Sequence, residues 1–222
     1  MSPETRPSQD PKQGVSAQIS DTPHSWPVER SEQRYRSRVV GMRTDWVKMP
    51  DAEGQGTVVA ARDYMQHPGA AAALALDEWG RVLLQRQYRH ATEHQLWELP
   101  AGILDVEGET PLATAQRELV EEAGWRARTW HELPSFFPSP GFSDERIHVF
   151  LARDLSKVPE EENGFVREHE EAHLVAEWVP LAEAAQWVLQ GRLLNGATVI
   201  GILAAHIASA DDFSSLRELI TG

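Results

Sequence analysis

Three glutamates, Glu118, Glu121 and Glu122, fall within five residues and follow directly on Arg117. On a helix advancing 100° per residue they share one arc of roughly 100°. Glu118 and Glu122 stand one turn apart, a like-charge spacing that costs stability unless something cationic intervenes. Carboxylates gathered this way are hard oxygen donors, the ligand type that suits Mg²⁺ or Mn²⁺. Arg117 lies one turn from Glu121 and can hold it in place. A bare Glu-x-x-Glu-Glu pattern also describes a plain solvated face of a surface helix, so the wider sequence has to decide.

The helix that would carry these acids is well punctuated. Thr110 suits the N-cap, Pro111 the first helical position, and Gly124 the left-handed position past the end. Leu112, Ala115, Leu119 and Ala123 form an apolar face beside the acidic arc. Before the helix, Ala70–Leu76 and Val82–Tyr88 flank the turn Asp77-Glu78-Trp79-Gly80 and predict a β-hairpin. Leu96–Gly102 leads into the helix. Strands are expected at Arg128–Phe137, Ile147–Arg153 and His173–Val179, and helices at Leu181–Gln190 and Ala197–Ala208. Between Trp26 and Tyr64, the segments Ser37–Val47 and Thr57–Tyr64 predict a small antiparallel unit. Residues 1–24, rich in Ser, Pro, Gln and Asp without an apolar period, are expected to be a disordered tail. The sum is an α/β (α+β) sandwich with helices covering a mixed sheet.

Composition narrows the chemistry. None of the 222 residues is cysteine, which excludes disulfides and thiolate metal sites. A formal net charge of −13 without a basic stripe argues against long nucleic acid as a partner. Small phosphates are compatible, because a divalent cation turns repelling carboxylates into an attractive site. The apolar run near Ala197–Ala210 is broken by glycine and His206 and is too short for a membrane span, and the N-terminus does not read as a secretory signal. A cytoplasmic protein is the expectation. The nine histidines show no metal-binding spacing, and no single one of the eight tryptophans stands out as a stacking platform.

The pattern Gly102, Glu109, Arg117-Glu118-Leu119, Glu121-Glu122, Gly124, Trp125 resembles the Nudix box of the Nudix hydrolase superfamily. One departure is present: six residues rather than five separate Gly102 from Glu109. It lies ahead of the helix cap and concerns only how Gly102 and Glu109 map onto the box. The resemblance implies a Nudix α/β/α sandwich and a Mg²⁺-dependent pyrophosphohydrolase, with Mn²⁺ as an alternative cation. Glu118 and Glu122 are the first-choice ligands, joined by Glu121 and the Ala101 carbonyl, with Arg117 in the catalytic set.

The flanks Leu96-Trp97-Glu98-Leu99-Pro100-Ala101-Gly102 and Pro138-Ser139-Pro140-Gly141-Phe142-Ser143-Asp144-Glu145 resemble the actinobacterial-like ADP-ribose pyrophosphatase subfamily, as do Gln87-Tyr88-Arg89-His90 and Glu170-Glu171-Ala172. Pro140 lies fifteen residues beyond Trp125, the subfamily's proline position, with Pro138 as a neighbour. The resemblance implies hydrolysis of ADP-ribose to AMP and ribose 5-phosphate. It also implies a homodimer formed through an N-terminal β unit at 25–66, ahead of a hydrolase domain at 67–210 and a C-terminal tail at 211–222. The general base falls to Glu171 or Glu170, which otherwise belong to an acidic loop. Arg89 and Glu98 fall among the substrate-binding residues, with a surface salt bridge from Arg89 to Glu98 or Glu93 as the plain alternative. Pro140, Gly141, Phe142, Ser143 and Glu145 complete that set, against an ordinary exposed turn at Ser143-Asp144-Glu145. Two other readings stay open: the same chemistry on another nucleotide sugar or dinucleotide, and a module that binds ADP-ribose without cleaving it.

Overall fold

The computed structural model describes residues 19–159 and 175–220. Among the described residues three sheets are formed. The first is the expected N-terminal antiparallel unit, β1 (Val28–Arg36), β2 (Gly41–Pro50) and β3 (Thr57–Gln66), in the order β1-β2-β3. It lies within the expected bounds, but its first strand is not among the segments read as strands, since β1 is polar and exposed along its whole length. What is buried here is polar: Asp45 accepts hydrogen bonds from Arg43 at 2.7 Å and from Tyr64 at 3.1 Å, and Thr44 donates to Asp63 at 2.6 Å. Burial works against the Asp45 carboxylate, but hydrogen bonds from Ser31, Arg43 and Tyr64 outweigh it and hold the carboxyl below its ordinary range.

The body is a sandwich. Strands β4 (Ala70–Ala75), β7 (Ala101–Ile103), β8 (Trp125–Glu132), β9 (Ile147–Lys157) and β11 (Glu218–Leu219) make a mixed sheet in the order β11-β8-β9-β4-β7, with β4 and β9 parallel. Strands β5 (Arg81–Arg89), β6 (His94–Glu98) and β10 (Val175–Pro180) form a third sheet in the order β10-β5-β6. Helix α1 (Pro111–Ala123) covers one face of the mixed sheet, and α2 (Leu181–Leu189) with α3 (Gly196–Ala208) covers the other. The period-two alternation of strands sorts the side chains between them. Ala71, Ala73, Phe150 and Ala152 pack with Leu119 and Ala115 of α1, whereas Ala72, Leu74, Val149 and Leu151 pack with Ile202 and Ala205 of α3. Alanines on the α1 side let the acidic helix lie close to the sheet.

The predicted hairpin is corrected. Its turn forms, with Asp77 N–H donating to the Arg81 carbonyl at 3.0 Å and Gly80 in the left-handed region at φ 72°. The two strands nevertheless meet only at the isolated bridge Leu76–Val82 and then diverge into different sheets. β4 is apolar on both faces and is claimed by β9 and β7, while β5 pairs with β10 and β6. Strand β8 opens directly after the Gly124 cap and ends at Glu132, two residues ahead of Pro134, rather than running to Phe137. Residues after α3, read as a tail, bury Phe213 and pair Glu218-Leu219 with His131-Trp130 of β8.

Candidate active site

Helix α1 is capped as its residues require: Thr110 accepts the Ala113 N–H at 3.2 Å, and Gly124 sits at φ 70°. Leu119 and Ala115 are fully buried, which turns the acidic arc toward the β6–β7 corner. Arg117 organises that arc. Its Nε and Nη2 donate to the two oxygens of Glu109, both at 3.1 Å, and its Nη1 donates to Glu118 at 2.6 Å and to Glu121 at 2.9 Å. These hydrogen bonds, opposed by burial, hold the Glu109 carboxyl below its ordinary range, and the same contacts raise the guanidinium further. Thr114 also donates to Glu109 at 2.8 Å. The segment ahead of Glu109 closes in a turn at Gly108, φ 80°, where the Glu109 N–H donates to the Val106 carbonyl. Glu109 therefore reaches Arg117 despite the insertion.

Glu122 points elsewhere. It is almost wholly buried, its Oε2 accepts the Ala101 N–H at 3.1 Å, and its backbone carbonyl accepts the buried Gln85 amide at 3.0 Å. Gln85 thereby satisfies one of the end carbonyls that α1 cannot pair internally. Gly102 faces Glu118 so closely that a Cβ built there would lie 1.9 Å from Glu118 Oε1. The seat of this carboxylate exists only because residue 102 has no side chain.

Glu109, Glu118, Glu121 and Glu122 supply four carboxylates to this region, three of them bonded to Arg117, and all are oxygen donors. That donor set suits a hard divalent cation. The acids do not converge on one point here: Glu118 and Glu121 lie on Arg117 and Glu122 on Ala101, and the described residues contain no group of three or more acidic or histidine side chains disposed around one metal position.

Of the other predicted residues, Arg89 forms a bidentate pair with Glu98, Nη2 to Oε2 at 2.6 Å and Nε to Oε1 at 3.0 Å. Glu98 is buried, so this is more than a surface contact. The loop after β8 is pinned to the end of β3. Met65 N–H donates to the Phe142 carbonyl at 2.7 Å, Asp144 N–H to the Met65 carbonyl at 3.1 Å, and His67 N–H to the Asp144 carboxylate at 2.8 Å. Ser143 is buried and its hydroxyl accepts the Glu145 N–H, while Glu145 lies 3.6 Å from His67 Nδ1. Pro140, Gly141 and Phe142 remain at the surface. Glu170 and Glu171 lie outside the described residues. The sequence reading missed Gln85, Thr114, His67 and Asp144. Only Gln85 carried a signal, as a polar residue that directly follows the apolar run Val82–Leu84 yet belongs to the same strand.

Residues 65–195 match the NUDIX domain family. The ADP-ribose pyrophosphatase of Mycobacterium tuberculosis is 41% identical over 89% of this chain and 91% of its own length. The methanol dehydrogenase activator of Bacillus methanolicus is 36% identical over 82% of this chain and 92% of its own. Among solved structures, an ADP compounds hydrolase superposes with a TM-score of 0.67 at 19% identity, over 87% of this chain and 99% of that one, which is a likeness of fold. The match from the end of β3 through the box helix to the start of α3 places this chain in the Nudix family.

Proposed function

We propose that this chain hydrolyses the pyrophosphate bond of ADP-ribose, giving AMP and ribose 5-phosphate, with Mg²⁺ or Mn²⁺ as its cation. The observation that carries the reading is the likeness, along nearly the whole of both chains, to the M. tuberculosis protein named for that activity. The box supports it, since no acid of the pattern is missing and each is held by a specific partner.

Glu118 and Glu122 would hold the cation, with Glu121 and the Ala101 carbonyl completing its protein ligands. Bound there, a divalent cation lowers the pKa of water and neutralises charge on the pyrophosphate. Arg117 positions Glu118 and Glu121 rather than meeting the substrate. Glu171, or Glu170 beside it, serves as general base and accepts the proton of the attacking water. Arg89, fixed in direction by its fork to Glu98, is the guanidinium that binds a phosphate. The loop Pro140-Gly141-Phe142, with Ser143 and Glu145 behind it, borders the ribose end.

The N-terminal sheet supports a homodimer. It buries polar residues instead of an apolar core and leaves Tyr35, Val58 and Val59 exposed, and three strands without an apolar face to pack gain little stability alone. A second subunit would cover it. Steady-state assays on a panel of nucleoside diphosphate sugars and dinucleotides with Mg²⁺ test the substrate. ADP-ribose should give the highest kcat/KM, and fast turnover of another compound with none of ADP-ribose refutes the assignment. A monomer by gel filtration at assay concentration refutes the dimer.

A further inference from the structure

The glutamate arc seats at Ala101-Gly102, opposite the first half of β4, whereas a cavity of about 1160 Å³ opens beyond the other end of that strand. It is bounded by the β4–β5 turn, the end of β9 and the β10–α2 junction, and none of its lining belongs to α1 or to the loop 138–145. A volume of this size accommodates a ligand of nucleotide dimensions.

Asp77 builds one wall. Its buried carboxylate accepts the Trp79 N–H at 3.0 Å, the Arg81 N–H at 2.8 Å and Arg81 Nε at 2.7 Å. The guanidinium of Arg81 is thereby fixed 4.9 Å from the Trp79 ring centroid and 5.8 Å from that of Trp178. Trp125 meets Trp178 edge to face at 5.6 Å. Across the cavity Arg153 lies 4.5 Å above the Phe213 ring, and Arg128 stands at the rim with its side chain 84% exposed.

Of the acids nearby, Glu78 lines the cavity as an exposed turn residue, and the others are committed or loosely placed. Asp77 is spent on the turn, and Asp154 accepts the Thr129 hydroxyl and stands 3.8 Å from Arg128. Asp212, itself exposed, is 3.5 Å from Arg153. Contacts that long leave both guanidinium forks with donors for another anion. Flat indole surface combined with spare guanidinium donors recognises an aromatic ring that bears a phosphate.

We propose that this cavity is a second binding site, for a planar aromatic anion of mononucleotide size, with its ring against Trp79 and Trp178 and its phosphate among Arg81, Arg128 and Arg153. The inference does not depend on which compound the box hydrolyses. Isothermal titration of the full chain with AMP, in EDTA, tests it against two variants: the double variant Trp79→Ala/Arg128→Ala and the single variant Arg128→Glu. Both positions are exposed, so the variants keep the wild-type unfolding temperature and the wild-type hydrolysis rate. The wild type should bind one more equivalent of AMP per chain than either variant, with adenosine and inorganic phosphate at least tenfold weaker at that site. Equal AMP stoichiometry in all three proteins overturns the proposal. So does an extra equivalent that adenosine alone fills as tightly as AMP.

Discussion

Replacing Gly102 by alanine should separate folding from catalysis. The added Cβ would stand 1.9 Å from Glu118 Oε1, 2.3 Å from its Cδ and 2.7 Å from its Cγ. Ordinary van der Waals contact begins near 3.4 Å, so the carboxylate must retreat by roughly 1.5 Å. Gly102 does not occupy the left-handed region, so the backbone accepts alanine without strain. The displaced atoms end a flexible side chain, and Arg117 keeps its contacts to Glu109 and Glu121. The stability cost is then about 1 kcal/mol, the scale of one partly exposed charged contact, or about 2–4 °C in Tm for a chain of this size. Catalysis has no such tolerance: a misplacement of about 1 Å can cost about 100-fold, or about 2.7 kcal/mol of transition-state stabilisation. Steady-state kcat/KM on ADP-ribose at saturating Mg²⁺, beside a thermal melt, reads both. A variant that melts as expected but keeps kcat/KM within about threefold of wild type refutes the reasoning, because Glu118 would then not need the seat that Gly102 leaves open.

Arg89→Ala strands the buried Glu98 carboxylate and should cost about 1–3 kcal/mol in a denaturant titration while raising KM. Arg89→Lys, which cannot reproduce the fork, should recover only part of either effect. Glu109→Gln should replace the charged fork on Arg117 with at most one neutral acceptor, lowering kcat about tenfold in steady-state assays with little change in KM. His131 and His148 are held below their ordinary pKa, first of all by burial, so the folded state favours their neutral forms. Their contribution is fully present above about pH 6.5 and is lost as the pH falls from there through their folded pKa values, because the unfolded chain then binds more protons. Chemical denaturation between pH 7 and pH 5 should show stability falling, and His131→Gln with His148→Gln should flatten that slope.

How much of this was legible in the residues depended on whether the determinants are local. The caps of α1, its apolar face and its acidic arc are set within one short segment, and they stand where Thr110, Pro111 and Gly124 place them. Pairing partners are not local. β4 reads as a strand buried on both sides, but nothing in Ala70–Ala75 says that its parallel neighbour begins at Ile147, so the hairpin with β5 was the wrong inference from a correctly read turn. The clamp on Glu109 was half visible: spacing alone pairs Arg117 with Glu121, whereas the fork to Glu109 depends on how the turn at Gly108 folds the chain back. The bond from His67 to Asp144 spans 77 residues and could only come from the fold.

Whether the box helix makes this chain a hydrolase rather than a binder is decided by AMP release from ADP-ribose with Mg²⁺, measured alongside ADP-ribose binding, for wild type and Glu122→Gln. Wild type should release AMP, and Glu122→Gln should bind ADP-ribose but release AMP at least about 100-fold more slowly. Binding by both proteins with no AMP from either contradicts the hydrolase reading, and makes this Nudix chain a module that recognises ADP-ribose without cleaving it.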